Sequence, residues 1–296
     1  MSQEIEIVEV GPRDGLQNEN TILDTAIKIE FVNRLIDSGV KRLEVASFVH
    51  PKLVPAMADA EQVMRDLSPH PDVKYIGLAL NERGFRRALD AGCDEINFVM
   101  VASEGFGLRN QNATPLQTAD LFDRVMVLAN DDKVPVSVTI SVAFGDPFEG
   151  EVPTEILEML TARAVSAGAS EIALGDTIGV ADPWTVAKTI QRVQAVSQGV
   201  PLRLHFHNTR NTALANIHAS IENGVRIIDA SCGGIGGCPF APAATGNVPT
   251  EDVVYMLERA GIKTGIDLKK MIETSNWLSK QLGKELPSML PKAGIF

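Results

Sequence analysis

Apolar positions along the chain follow two alternating rhythms. Short runs rich in β-branched residues recur at 5–10, 42–48, 74–80, 95–101, 136–142, 171–175, 202–207 and 227–232, and their length and composition predict buried strands. Between them, segments at 24–38, 55–67, 81–91, 115–130, 153–167, 183–197, 212–223 and 250–260 return an apolar residue every three or four positions, which predicts amphipathic helices. A further helix is expected near 267–282. Pro153-Thr154 and Asp182-Pro183 mark helix starts, and Gly39, Gly92, Gly168 and Gly224 each close a helix shortly before a strand.

Eight strand-then-helix units of this kind predict an α/β fold, a (β/α)8 barrel with an additional C-terminal helix, ahead of an open doubly wound sheet. No Pro/Ser-rich linker or composition break divides the chain, so residues 1–296 read as a single barrel domain, with 262–296 as its C-terminal helix and tail. A barrel places Asp14, the 48–50 segment, Asp176, His207 and the glycine-rich run 231–247 at or just beyond the carboxyl ends of strands, the face where barrel enzymes work. Glu44, Arg203 and His205 fall inside apolar strands, where burial is costly unless they are paired or bind a metal.

Composition narrows the possible functions. With 45% hydrophobic and 22% charged residues the chain is globular. A net charge of -11 without a basic cluster, and only 5% aromatics, leave nucleic acid without the cations and stacking platforms it needs. No apolar run reaches a membrane span and the first residues lack signal-peptide character, so no membrane partner is expected. Cys93, Cys232 and Cys238 are odd in number and lack zinc-finger spacing, which fits a reduced, cytoplasmic setting. Arg13, Lys52, Arg109 and Arg210 are the loop cations that could meet an anionic substrate.

The chemistry centres on His205 and His207. Alternate strand residues share a face, so both imidazoles point the same way as Arg203, and two on one face invite a metal. Asp14 and the Gly246-Asn247 loop are expected at the same rim. This nitrogen and oxygen donor set suits Mg²⁺, Mn²⁺ or Co²⁺ with open positions better than a closed structural zinc. The run Gly11-Pro12-Arg13-Asp14-Gly15 reads either as a plain turn or as a carboxylate for the metal beside a guanidinium for a developing oxyanion, with Glu44 as acceptor for Arg13. The Gly233 to Pro239 loop lacks the Lys-Ser/Thr of a phosphate-binding loop. It reads either as a lid carrying the Cys238 thiol or as a long loop with a buried cysteine.

Taken together, residues 8–19, Glu44 to Val49 with Pro51-Lys52, Gly175 to Gly179, His205-Phe206-His207 and Gly233 to Pro239 with Gly246-Asn247 resemble the 3-hydroxy-3-methylglutaryl-CoA lyase family, within the wider group of metal-dependent lyase and synthase barrels. The resemblance spans about residues 6 to 282. It implies one divalent cation, Mg²⁺ or Mn²⁺, bound by Asp14, His205, His207 and Asn247. It implies an acyl-CoA thioester substrate cleaved between C2 and C3 by a retro-Claisen-type reaction, giving acetyl-CoA and acetoacetate from the parent compound. By the same resemblance Arg13 holds the thioester oxygen and Cys238 moves a proton. Glu44 and Gln17 support Arg13 and the metal, Asp176 anchors a histidine or the proton path, and Arg109, Asn110 and Arg210 meet the CoA or a carboxylate. A homodimer is implied too.

The chain departs from the family where Asn208-Thr209-Arg210-Asn211-Thr212 replaces Asp-Thr-Tyr-Gly-Gln, where Ser141 and Asp146 take the places of two cysteines after the fifth strand, and where Asn20 replaces a lysine. These changes spare every expected ligand and bear on the substrate, with citramalyl-CoA or another branched 3-hydroxy-dicarboxyl-CoA as the alternative. A condensing synthase, a zinc hydrolase and a non-catalytic CoA-binding barrel are the competing readings.

Overall fold

In the computed structural model, which describes residues 4–237 and 246–296, every apolar run forms a strand. They are β1 Glu6–Glu9, β2 Arg42–Ser47, β3 Lys74–Ala79, β4 Glu95–Val101, β5 Val136–Ser141, β6 Glu171–Asp176, β7 Leu202–Phe206 and β8 Ile227–Ala230. Each strand pairs in parallel with its sequence neighbour, and β8 returns to β1 with Asp229 opposite Val8, so the sheet closes as an eight-stranded barrel. The helical segments appear as α1 Thr25–Asp37, α2 Ala60–Asp66, α3 Glu82–Asp90, α5 Pro115–Asp132, α6 Thr154–Ala167, α7 Pro183–Val196, α8 Ala213–Glu222, α9 Thr250–Arg259 and α10 Leu268–Leu282. Their starts are fixed locally. Asn81, Asp182 and Asp267 accept N–H groups of the first turns of α3, α7 and α10, and Thr114 with Gln117 forms a reciprocal cap on α5.

Three features differ from the pattern-based reading. The 55–67 segment divides into a short turn, Pro55–Met57, and α2. A short helix α4, Glu104–Asn110, stands where a loop was expected, and α11, Leu290–Ala293, follows α10. Glycines at 105 and 107 obscure the apolar period of α4. Its start is held by Asp146, whose carboxylate accepts the Ser103 hydroxyl and the Phe106 N–H, so Asp146 ties the loop after β4 to the loop after β5.

The large apolar core lies outside the barrel, between sheet and helices, where Phe31, Phe85, Phe98, Phe122 and Phe206 are all buried. Each such side chain contributes about 1.5–3 kcal/mol. Inside the barrel the apolar cluster is small, Val8, Val10 and Ile76, and the remainder is polar. Arg42 meets Glu95 at 2.7 Å and Glu171 at 2.7 Å, and the Arg203 guanidinium sits 3.1 Å from Glu171 and 3.5 Å from Asp229. The charged residues found within apolar strands are thus paired with one another along the barrel axis, as burial requires.

Candidate metal centre and active site

The segment after β1 forms one widened helical turn, Gly11–Gly15, in which the Gly15 N–H donates to the Val10 carbonyl five residues back. Wide turns of this kind concentrate at functional sites, and this one aims Arg13 and Asp14 over the carboxyl mouth of the barrel. A Cβ on Gly15 would lie 2.6 Å from the Ile235 side chain, so glycine here permits close approach of the segment after β8. Gly236, at φ +100, stands where a Cβ would reach 2.6 Å from the Asn247 amide nitrogen.

His205 lies near the end of β7 and His207 follows it. The 246–248 segment pairs with this strand end: Val248 N–H donates to the Phe206 carbonyl and Asn208 N–H to that of Gly246. Asn247 is thereby set opposite His207. The Asp14 carboxylate lies 3.9 Å from His205 Nε2 and 4.0 Å from His207 Nε2, and accepts the Asn247 amide at 2.8 Å. These separations let one ion with bonds of about 2.0–2.2 Å draw the ligands together. Asp14, His205 and His207 form the one such cluster of His, Cys, Asp and Glu among the described residues. The Asn247 amide donates to the Ile235 carbonyl and leaves its buried Oδ1 without a partner, a free oxygen beside the triad.

The protonation states of His207 and Asp14 suit a cation. Burial, joined by the neighbouring His205, pushes His207 down to about 4, so its imidazole is neutral near pH 7, as a ligand must be. Burial alone would raise Asp14, but Arg13 and the two imidazoles more than offset it and hold the carboxyl well below the usual range. Burial would lower His205, yet the Asp229 carboxylate, 3.1 Å from Nδ1, reverses the direction and raises it.

Arg13 donates to Asp14 at 2.5 Å and through Nε to Glu44, which in turn accepts the Asn97 amide at 2.7 Å. Thr139 donates to Asn97 at 3.0 Å. Next to Glu44 the pairing of β2 with β3 shifts register, a bulge of the kind found beside active sites. A cavity of about 230 Å³ opens above these groups, and Arg13, Asp14, Gln17, Asn110, His205 and His207 all line it. A larger hollow of about 840 Å³, at the opposite end of the barrel, is lined by none of the candidate residues.

Three expected residues stand apart. The Asp176 carboxylate accepts the N–H groups of Val180 and Ala181, bracing its own loop, and burial pushes it up to about 6. Arg210 donates to the carbonyls of Ile178 and Gly179, tying the β7 loop to the β6 loop. Arg109 donates to the Gly105 carbonyl and stacks 4.1 Å over Phe148. Cys238 lies outside the described residues. Sequence reasoning missed Asp229, Asn97 and Thr139. Asp229 carried the same signal as Arg203, a charge inside an apolar strand.

Fold and site together define a (β/α)8 barrel whose carboxyl rim carries a cluster, Asp14, His205 and His207, that could hold a metal ion. The HMGL-like family model matches residues 4–278. The chain is 40% identical to the (R)-citramalyl-CoA lyase of Chloroflexus aurantiacus over 98% of this chain and 95% of that one. It is also 40% identical to the hydroxymethylglutaryl-CoA lyase of Bacillus subtilis, over 97% and 96%. An HMG-CoA lyase structure from Acinetobacter baumannii, solved with coenzyme A and 3-methylmalate, superposes with a TM-score of 0.95 at 40% identity, covering 99% of this chain and 95% of that one. The chain belongs to the HMGL-like family.

Proposed function

We propose that the protein is a divalent-metal-dependent carbon–carbon lyase that cleaves 3-hydroxy-3-methylglutaryl-CoA to acetyl-CoA and acetoacetate. The observation that carries this reading is the shared cavity: Arg13 and the Asp14, His205, His207 cluster line one space at the carboxyl mouth of the barrel. Asp14, His205, His207 and Asn247 would hold Mg²⁺ or Mn²⁺, with Co²⁺ an alternative. The ion supplies Lewis acidity that makes a tertiary hydroxyl acidic near neutral pH.

The cavity is too small for a whole acyl-CoA and suits its acyl head. Coenzyme A would then lie across the rim, where Leu53, 80% exposed, and Asn110 border the opening. The hydroxyl proton would pass to water at the cavity mouth as the C3–O group becomes the ketone carbonyl of acetoacetate, the C2–C3 bond breaks, and its electron pair forms the acetyl-CoA enolate. Arg13, fixed by Glu44, is placed to stabilise the enolate oxygen. The enolate then takes a proton at C2, the step assigned to Cys238 by family resemblance. Gln17 stands beside Arg13 on the cavity wall. Asp176 would hold the β6 loop in place, and Arg109 and Arg210 would meet coenzyme A phosphates at the rim.

The same chemistry on citramalyl-CoA is the second reading, favoured by the equal identity to the Chloroflexus enzyme. Free Cys93 and Cys232 fit the cytoplasm, and among the described residues no helix is long and apolar enough to cross a membrane. Exposed Leu116 and Val127 on α5, with Trp184 on α7, support a homodimer through outer helices.

Metal-stripped protein incubated with each thioester should release acetyl-CoA only after Mg²⁺ or Mn²⁺ is added. The preferred thioester decides between the two substrates, and no release from either defeats the proposal.

A further inference from the structure

We infer that Asp229, set by the buried Arg203, is a positioning residue that fixes His205 in the tautomer and orientation the metal site requires. The inference rests on the metal-site reading above and adds to it what holds the ligand in place. His205 and Asp229 are direct partners in the pairing of β7 with β8, so their side chains leave the sheet side by side toward the barrel interior. Asp229 Oδ2 lies 3.1 Å from His205 Nδ1, while Nε2 faces Asp14. A carboxylate can only accept a hydrogen bond, so this contact places the proton on Nδ1 and leaves the Nε2 lone pair for the ion. His207, by contrast, has no hydrogen-bond partner on its buried Nδ1 among the described residues. Of the two imidazoles, His205 is the one whose metal-facing nitrogen is set in advance.

Arg203 explains what sets Asp229. It precedes His205 by two residues on the same strand face and is completely buried. Its Nε lies between Glu171 and Asp229, at 3.1 and 3.5 Å, yet none of its three side-chain nitrogens makes an aligned hydrogen bond. A guanidinium held so loosely adds little stability after the cost of desolvation. Its contribution is charge. Placed below Asp229, it compensates that carboxylate and leaves one oxygen for His205. Glu171 in turn is held by Arg42 through two hydrogen bonds of 2.7 and 3.0 Å, so the arrangement is anchored at the far end of the barrel.

Two measurements test this. In metal-stripped protein, the ¹⁵N imidazole spectrum in mildly alkaline buffer, with His205 assigned by its loss in His205→Gln, should show Nδ1 protonated and Nε2 bare. A protonated Nε2 overturns the inference without any use of metal. Titration calorimetry with Mn²⁺ should then give a dissociation constant raised about 10–100-fold in Asp229→Asn. Unchanged affinity in that variant, folded by circular dichroism, also overturns it. If Asp229→Asn does not fold, the wild-type tautomer alone decides. Wild-type protein that binds no Mn²⁺ defeats the metal-site reading instead, and the tautomer still tests the role of Asp229.

Discussion

Asn97 shows how a residue that touches no metal ligand can govern the chemistry. Its amide donates to Glu44, which holds the Arg13 Nε, and its own oxygen is held by the Thr139 hydroxyl. Asn97→Leu preserves approximate volume but leaves one oxygen of a carboxylate that is 1% exposed without its donor, a loss of about 1–3 kcal/mol. Through Arg13 this should lower kcat/KM about 5- to 150-fold, since each 1.4 kcal/mol is a factor of about ten, while Mn²⁺ affinity stays near wild type because Asp14 keeps its Asn247 contact. Steady-state kinetics beside calorimetry checks both halves, and normal kcat/KM would remove Asn97 from the support of Arg13. Residue-level legibility was uneven for a physical reason. His205 and His207 announce themselves by a two-residue period and rare side chains, and Asp14 by a turn motif. Asn97 and Asp229 carry meaning only through partners on neighbouring strands, and strand register is not written in any single segment.

Among the elements, the strands and long helices were readable because their apolar periods are clean. The misreadings fell where glycine or proline interrupts the period, at α4 and at the split of 55–67. What joins the elements was harder to foresee. Glu9, outward-facing on β1 and fully buried, accepts the Gly11 and Cys232 N–H groups and the Thr250 hydroxyl, so one carboxylate binds β1, the segment after β8 and the start of α9. Burial pushes it up to about 8, against an ordinary value of 4.5. A carboxyl raised on folding contributes stability fully below its unfolded pKa and loses it as pH rises through the folded one. Glu9→Gln keeps an acceptor oxygen for the two N–H groups, and the Thr250 hydroxyl can turn to accept from the new amide. From about pH 4.5 to about 8 the wild type should therefore lose stability relative to Glu9→Gln, by a few kcal/mol in order of magnitude. Melting curves across that range test this, and parallel curves would show that Glu9 stays ionised in the fold.

At the scale of the whole molecule, the barrel separates what keeps it folded from what lets it act. The helix-facing core is apolar and continuous, whereas among the described residues the interior column holds six carboxylates, Glu6, Asp14, Glu44, Glu95, Glu171 and Asp229, against three guanidiniums, Arg13, Arg42 and Arg203. At the carboxyl rim this excess of negative charge ends at Asp14, and a divalent cation there would offset it. Binding that favours the folded state must then stabilise the whole barrel, by about 2.7 kcal/mol at a hundred times the dissociation constant. For a chain of this size that is a rise in melting temperature of roughly 5 °C, reversed by a chelator. His207→Ala removes a proposed rim ligand that the apolar core does not use. It should melt near wild type without metal, lose most of the Mn²⁺-induced rise, and cleave no thioester. Differential scanning calorimetry with and without Mn²⁺ separates the outcomes. An unfolded variant would make His207 structural, and a wild type indifferent to Mn²⁺ would mean that the charge excess is met some other way.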